Sequence, residues 1–277
     1  MLVVDACRRD GAGGSPTVVS LGAAAPDDEL ARLPGRYGTS HLAVLDPPAA
    51  AGGPLPVRFF TSAGPLANCG HGTVAALAVL AGRTGSFEGT LSIAGREVAA
   101  RARQSGDGVE AWFDQGAVAL RPVRDDEWAA FVGALGVGAE NLHPIERVVV
   151  ASPGRERLLV PVVDREVLAT LRPDHVALAR ASRRFAQLGS FVYVPPDSEN
   201  RCAARMFAPA IGVTEDVANA NSSGCLAVHR LATGRPGELV VEQGDALGCP
   251  SSVLVRAARD AGGHIVTQVG GVARVRS

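Results

Sequence analysis

Arg58-Phe59-Phe60-Thr61-Ser62-Ala63 and Arg205-Met206-Phe207-Ala208-Pro209-Ala210, far apart in the chain, agree in order and in character. Each is followed by a polar turn containing glycine, then an apolar stretch, then a Gly-Arg pair, Gly82-Arg83 in one case and Gly234-Arg235 in the other. Each pair leads into a strand-like run, Leu91-Ser92-Ile93 or Leu239-Val240-Val241. A strand–turn–helix–strand unit used twice predicts two α/β (α+β) halves related by a pseudo-twofold axis. Each half would wrap a sheet or barrel around one buried helix. The two polar turns would then face each other across a cleft. The expected division is 1–118 for the first half and 119–264 for the second, with a C-terminal strand, 265–277, returning to the first.

The elements around these units follow from local pattern. Leu2 to Cys7, Thr17 to Leu21, His41 to Leu45 and Val57 to Thr61 read as strands separated by Gly- and Pro-rich connections. Thr73 to Ala81 is too rich in alanine for a strand and apolar on every side, which predicts a fully buried helix. Leu226 to Ala232 reads as its counterpart. Asp27 to Leu33, Asp125 to Leu135, Arg165 to Leu171 and Asp174 to Ala181 are helix candidates with polar or acidic starts.

Bulk composition narrows the function. Of 277 residues, 47% are hydrophobic, 20% are charged, and the net charge is −1. That supports a sizeable core and gives no basic face for nucleic acid. The start, Met1-Leu2-Val3-Val4-Asp5, lacks a signal-peptide pattern, and no apolar run is long enough to span a bilayer. The expectation is a soluble, cytoplasmic protein acting on a small molecule, with no membrane or nucleic-acid partner. The five cysteines, Cys7, Cys69, Cys202, Cys225 and Cys249, are odd in number and widely spaced. They point to neither a disulfide framework nor a metal site, so a functional cysteine would act alone.

The two turns hold the candidate chemistry. Asn68-Cys69-Gly70-His71-Gly72-Thr73 runs into the buried helix. Gly70 and Gly72 let the backbone approach a ligand closely, and the first-turn amides can seat a carboxylate. Cys69 stands just before that positive helix end, where a thiolate is favoured and can serve as a base. The alternative is that the glycines only permit the turn and Cys69 is packing. The second turn, Glu215-Asp216-Val217-Ala218-Asn219-Ala220-Asn221-Ser222-Ser223-Gly224, offers more hydrogen-bonding side chains than one helix cap requires. His143, His175, His229 and His264 lie in no comparable turn and read as surface or internally satisfied residues. Arg8-Arg9 reads as a solvated loop pair.

With these motifs in order, the chain resembles the PhzF-like isomerases, which have the diaminopimelate epimerase-like fold. The resemblance is carried by Val3-Val4-Asp5-Ala6, Gly14-Ser15-Pro16, Val57 to Thr61, Cys69 to Thr73, Arg205 to Pro209, Glu215-Asp216, Gln243-Gly244 and Val269 to Ala273. It implies acid–base catalysis without a cofactor, a homodimer, and roles for His71 and Asp216. The family's catalytic glutamate falls at His41, in Tyr37-Gly38-Thr39-Ser40-His41, so an imidazole would replace an anionic base here. The family's Thr-Gly-Ser is replaced by Asn219-Ala220-Asn221, which changes the substrate pose. Proline racemases and diaminopimelate epimerases, on the same fold, place one catalytic cysteine where Cys69 stands. Their second would fall near Val217 or Ala218, and Cys225 is better read as core.

The expectation is therefore an isomerase that moves a proton and a double bond in a small, carboxylate-bearing, amino-acid-derived substrate. Antibiotic biosynthesis, with an unsaturated pyrroline or 4-alkylproline precursor, is the setting by analogy. Expected catalytic residues are His41, Cys69, His71 and Asp216; expected substrate-binding residues are Ser40, Gly70, Gly72, Thr73, Asn219, Asn221 and Ser222. No metal, flavin, nicotinamide or pyridoxal motif is present. The alternatives are an epimerase or racemase using Cys69 as one base, and a catalytically silent metabolite-binding protein.

Overall fold

Runs of β-branched and apolar residues between glycines become strands, and the two alanine-rich runs become helices that the strands enclose. The computed structural model describes residues 1–22, 24–106 and 108–276. The first half begins with β1 (Leu2–Arg8), β2 (Ser15–Leu21), α1 (Asp27–Arg36), β3 (His41–Leu45) and β4 (Leu55–Thr61). It continues with β5 (Gly64–Leu66), α2 (Gly70–Thr84), β6 (Ser86–Ile93), β7 (Arg96–Ser105) and β8 (Gly108–Asp114). The second opens with β9 (Ala119–Pro122), α3 (Asp125–Leu135), β10 (Val149–Ser152), β11 (Arg157–Pro161), α4 (Arg165–Thr170) and α5 (His175–Arg184). Then come β12 (Ser190–Tyr193), β13 (Arg201–Ala208), β14 (Val213–Asp216), α6 (Ala220–Ala232), β15 (Glu238–Gln243), β16 (Ser251–Arg259) and β17 (Ile265–Val275). Of the C-terminal stretch expected as a strand, Ser277 lies outside the described residues.

The strand pairings show the repeat directly. In the first half β2 and β3 are parallel, β3 and β4 antiparallel, and β4 and β6 parallel. In the second, β11 and β12 are parallel, β12 and β13 antiparallel, and β13 and β15 parallel. The first sheet closes into a barrel because β17 pairs with β8 on one side and β1 on the other. Along its earlier residues β17 also pairs with β16, so one strand belongs to both sheets. Inside the first barrel α2 is buried from Gly70 through Val79, and inside the second sheet α6 is buried from Ser222 through Arg230. A helix enclosed on all sides must be apolar all round, which accounts for the Ala, Val and Leu content of both. The repeated arginines are equivalent too. Arg58 binds Asp46 and lies over Phe60, while Arg205 binds Glu215 and lies over Phe207.

Both central helices begin earlier than their apolar runs suggest. Gly70, His71 and Gly72 form the first turn of α2, and Ala220 through Ser223 form that of α6. The hydroxyls explain the shift: Thr73 donates to the Cys69 carbonyl at 2.8 Å, and Ser223 donates to the Asn219 carbonyl at 2.9 Å. Each closes a turn that glycine and polar residues would otherwise leave open. No helix among the described residues is long and apolar enough to cross a membrane.

Candidate active site

The starts of α2 and α6 meet at the centre of the molecule. A Cβ added to Gly70 would stand 2.5 Å from the Ala220 Cβ, so the two first turns abut. Cys69 and Asn219 occupy the N-cap positions. By this equivalence the partner of Cys69 in the second half is Asn219, one residue beyond the nearer of the two expected positions, Ala218. Asn219 accepts from the Ser222 amide at 2.9 Å, donates to Asp216 Oδ2 at 2.9 Å, and its amide donates to Gln243 Oε1. Contacts between the halves fix the junction. Asn221 Nδ2 donates to Asn68 Oδ1 at 2.9 Å, and Gln115 Nε2 donates to the Asn221 carbonyl at 2.7 Å.

A cavity of about 230 Å³ opens at this junction, lined by His41, Cys69, Gly70, His71, Asp216, Asn219 and Asn221 among others. All four residues expected to be catalytic therefore line one cavity. Of the residues expected to bind substrate, Gly70, Asn219 and Asn221 line it and four do not. Ser40 is exposed and hydrogen-bonds His41 Nδ1 at 2.8 Å. Gly72 packs against Phe59 and the Cys69 sulfur. Thr73 faces an adjoining cavity of about 180 Å³, which shares the Asn68-Cys69-Gly70 wall. Ser222 is buried behind the cavity, against Met206 and Arg157.

The reactive groups are in direct contact. Cys69 Sγ lies 3.4 Å from His71 Nε2, and His71 Nδ1 lies 2.8 Å from the Ala218 carbonyl and 3.9 Å from Asp216 Oδ1. That carbonyl requires a proton on Nδ1, so Nε2 faces the sulfur. Burial opposes charge on His71, but the adjacent Cys69 sulfur and Asp216 carboxylate, with the hydrogen bonds to Cys69 and Ala218, raise its pKa to about 10. His71 is thus held as the imidazolium, with Nε2 facing the Cys69 sulfur. His41 differs: burial, and then the nearby His71, push its pKa well below 6.5, so its ring stays neutral. The two rings meet edge to face, with centroids 4.3 Å apart. Cys225 is buried away from these groups, and burial pushes its thiol up to about 11, as a core cysteine requires.

One residue of the wall has no forewarning in the sequence. Arg157 is 1% exposed and lines the cavity. One terminal nitrogen donates to Ser222 Oγ at 3.2 Å and the other to the Arg155 carbonyl at 2.8 Å, while Nε has no partner. Among the described residues no carboxylate pairs with it. Nothing in the sequence singles it out, because no local pattern distinguishes a buried arginine from a solvated one.

Comparison with known proteins agrees with this geometry. The family model for phenazine biosynthesis-like protein, PhzC-PhzF, matches residues 4–276. An uncharacterized isomerase of Deinococcus radiodurans is 31% identical over 230 residues, covering 79% of this chain and 74% of that protein. The trans-2,3-dihydro-3-hydroxyanthranilate isomerase of Pseudomonas fluorescens is 27% identical over 267 residues, covering 92% and 89%. A PhzF-family phenazine biosynthesis protein of Bacillus anthracis superposes with a TM-score of 0.84 at 19% identity, covering 100% of this chain and 96% of that one.

Proposed function

This chain belongs to the phenazine biosynthesis-like (PhzC-PhzF) family and is an isomerase of diaminopimelate epimerase-like fold, and we propose that it moves a proton, and with it a double bond, in a small amino-acid-derived carboxylate. One observation carries the reading: His41, Cys69, His71 and Asp216, drawn from both halves, line one cavity of about 230 Å³ at two helix starts. The substrate's carboxylate sits at the first-turn amides, which have no acceptor within their own helices. Arg157 supplies a second buried positive charge in the cavity lining.

In this mechanism the Cys69 thiolate takes a proton from a carbon made acidic by conjugation within the substrate. The His71 imidazolium offsets the thiolate's charge before the transfer and supports the resulting carbanion or enol. Asp216, hydrogen-bonded to Asn219, passes a proton from the His71 imidazolium to the other carbon, and the proton left on Cys69 restores His71 through exchange with solvent. Neutral His41 packs against His71 and orients it. Asn219 stands at the position equivalent to Cys69 and has no exchangeable acid of its own, which favours a double-bond shift over inversion between two thiols. A setting in secondary-metabolite biosynthesis, including antibiotic building blocks, fits the kinship with the dihydro-hydroxyanthranilate isomerases.

The test is deuterium incorporation in D2O, followed by proton NMR. The panel is trans-2,3-dihydro-3-hydroxyanthranilate and a set of unsaturated pyrroline carboxylates. Uptake at one carbon with migration of the double bond supports the proposal. Binding without exchange across the panel would favour a metabolite carrier, and exchange with loss of optical activity but no bond migration would make the protein an epimerase.

A further inference from the structure

His41, Cys69 and His71 are a set of metal donors as well as an acid–base cluster. One sulfur and one nitrogen of each ring lie within 4.8 Å of one another, and all three side chains are buried. A tetrahedral zinc ion, bound at about 2.0–2.3 Å, holds its nitrogen and sulfur donors about 3.3–3.6 Å apart. The Cys69 Sγ to His71 Nε2 distance of 3.4 Å already falls in that span. The remaining separations close with shifts of roughly one ångström.

The surroundings of the rings match those of ligating histidines. His71 engages the Ala218 carbonyl through Nδ1, and His41 engages the Ser40 hydroxyl through Nδ1, each at 2.8 Å. Both rings are thereby oriented and both keep Nε2 free for a ligand role, the pattern by which outer groups fix metal-binding imidazoles. The cavity leaves a fourth position accessible to water or to a small anion. His41 makes the set distinctive. Cys69 and His71 alone supply two ligands, and the imidazole of His41 completes a set of three nitrogen and sulfur donors with a fourth position open, the ligand count of open zinc sites.

We propose that His41, Cys69 and His71 form a site for a soft divalent cation of the zinc class, and that occupancy of this site inhibits the isomerase. On binding, the proton held between Cys69 Sγ and His71 Nε2 leaves to solvent, the sulfur bonds to the ion as a thiolate, and each imidazole, now neutral, contributes one nitrogen lone pair. No electron transfer is involved. The groups that move the substrate proton are then engaged. The inhibitory half of the proposal rests on the acid–base reading above; the binding half does not.

The full chain, stripped with EDTA and dialysed, is titrated with Co2+ and followed by absorbance, with Zn2+ as competitor. One Co2+ per chain with a thiolate-to-cobalt charge-transfer band is expected, displaced by Zn2+. Cys69→Ser should abolish the band and His41→Ala should weaken binding about ten-fold or more. Cys249→Ser, at a partly exposed thiol outside the cavity, should change neither. A band that survives Cys69→Ser, or wild-type affinity in His41→Ala, overturns the site. His41→Gln repeats the measurement should the alanine variant fail to fold by circular dichroism. Deuterium exchange by the stripped protein should fall with one equivalent of Zn2+ and return with EDTA. Exchange unaffected by bound Zn2+ overturns the inhibition. A protein that binds Co2+ as described but never exchanges a substrate proton counts against the isomerisation reading alone.

Discussion

Cys69 and His71 stand two positions apart at a helix start, and the chemistry of the site turns on how they share a proton. Removing the sulfur while keeping a hydroxyl tests this most directly: Cys69→Ser should lower deuterium exchange by about 100-fold or more, within the usual range for loss of a general base. His71 makes a second prediction through stability. Its folded pKa of about 10 lies above the ordinary 6.5, so the charged ring stabilises the fold in full below about pH 6.5. That contribution is lost as pH rises through about 10. The melting-temperature difference between wild type and His71→Asn should shrink steadily from about pH 6 to about pH 10.5. Arg157 makes a third. A buried cation without a counter-ion is costly, so Arg157→Met should leave the melting temperature unchanged or raise it. The same variant should raise KM about ten-fold or more with a smaller effect on kcat, as expected for a residue that binds an anion in ground and transition states alike.

At the scale of elements, the site exists because α2 and α6 approach end to end. Gly70 permits the approach: a methyl group there would meet the Ala220 methyl at 2.5 Å, too close for either helix to stay in place. Gly70→Ala should therefore cost about 1–3 kcal/mol in urea unfolding and, by moving Cys69 relative to Asp216, reduce exchange more than it reduces stability. The sequence disclosed both helices through their alanine-rich apolar runs, and it disclosed their polar starts as candidate sites. It placed the helix starts too late, since glycine and asparagine score as breakers until a following threonine or serine is seen to close the turn. The resemblance to two-cysteine racemases put the counterpart of Cys69 near Val217 or Ala218, whereas equivalence of the two N-caps puts it at Asn219. Ser40 and Ser222 illustrate another limit. Both are polar and adjacent to the site, yet one supports His41 from outside and the other supports Arg157 from behind.

At the scale of the whole molecule, β17 ties the halves into one cooperative unit, because it completes the first barrel and also borders the second sheet. Truncation before Ile265 should leave no independently folded half. Circular dichroism should show a single loss of structure, and a surviving native-like first or second half would refute this. What the sequence determined by itself was everything written in local pattern and repetition. The duplicated strand–turn–helix and the two enclosed helices follow from side-chain period, the candidacy of Cys69 from its place at a helix start, and that of His41, His71 and Asp216 from the family resemblance. Only tertiary structure decided which polar residues reach the cavity. It alone showed that Arg157 is buried with no carboxylate partner among the described residues, that His71 holds its proton, and that His41 does not. Those properties depend on desolvation and on charges contributed by remote segments, and neither is encoded in a residue's neighbours along the chain.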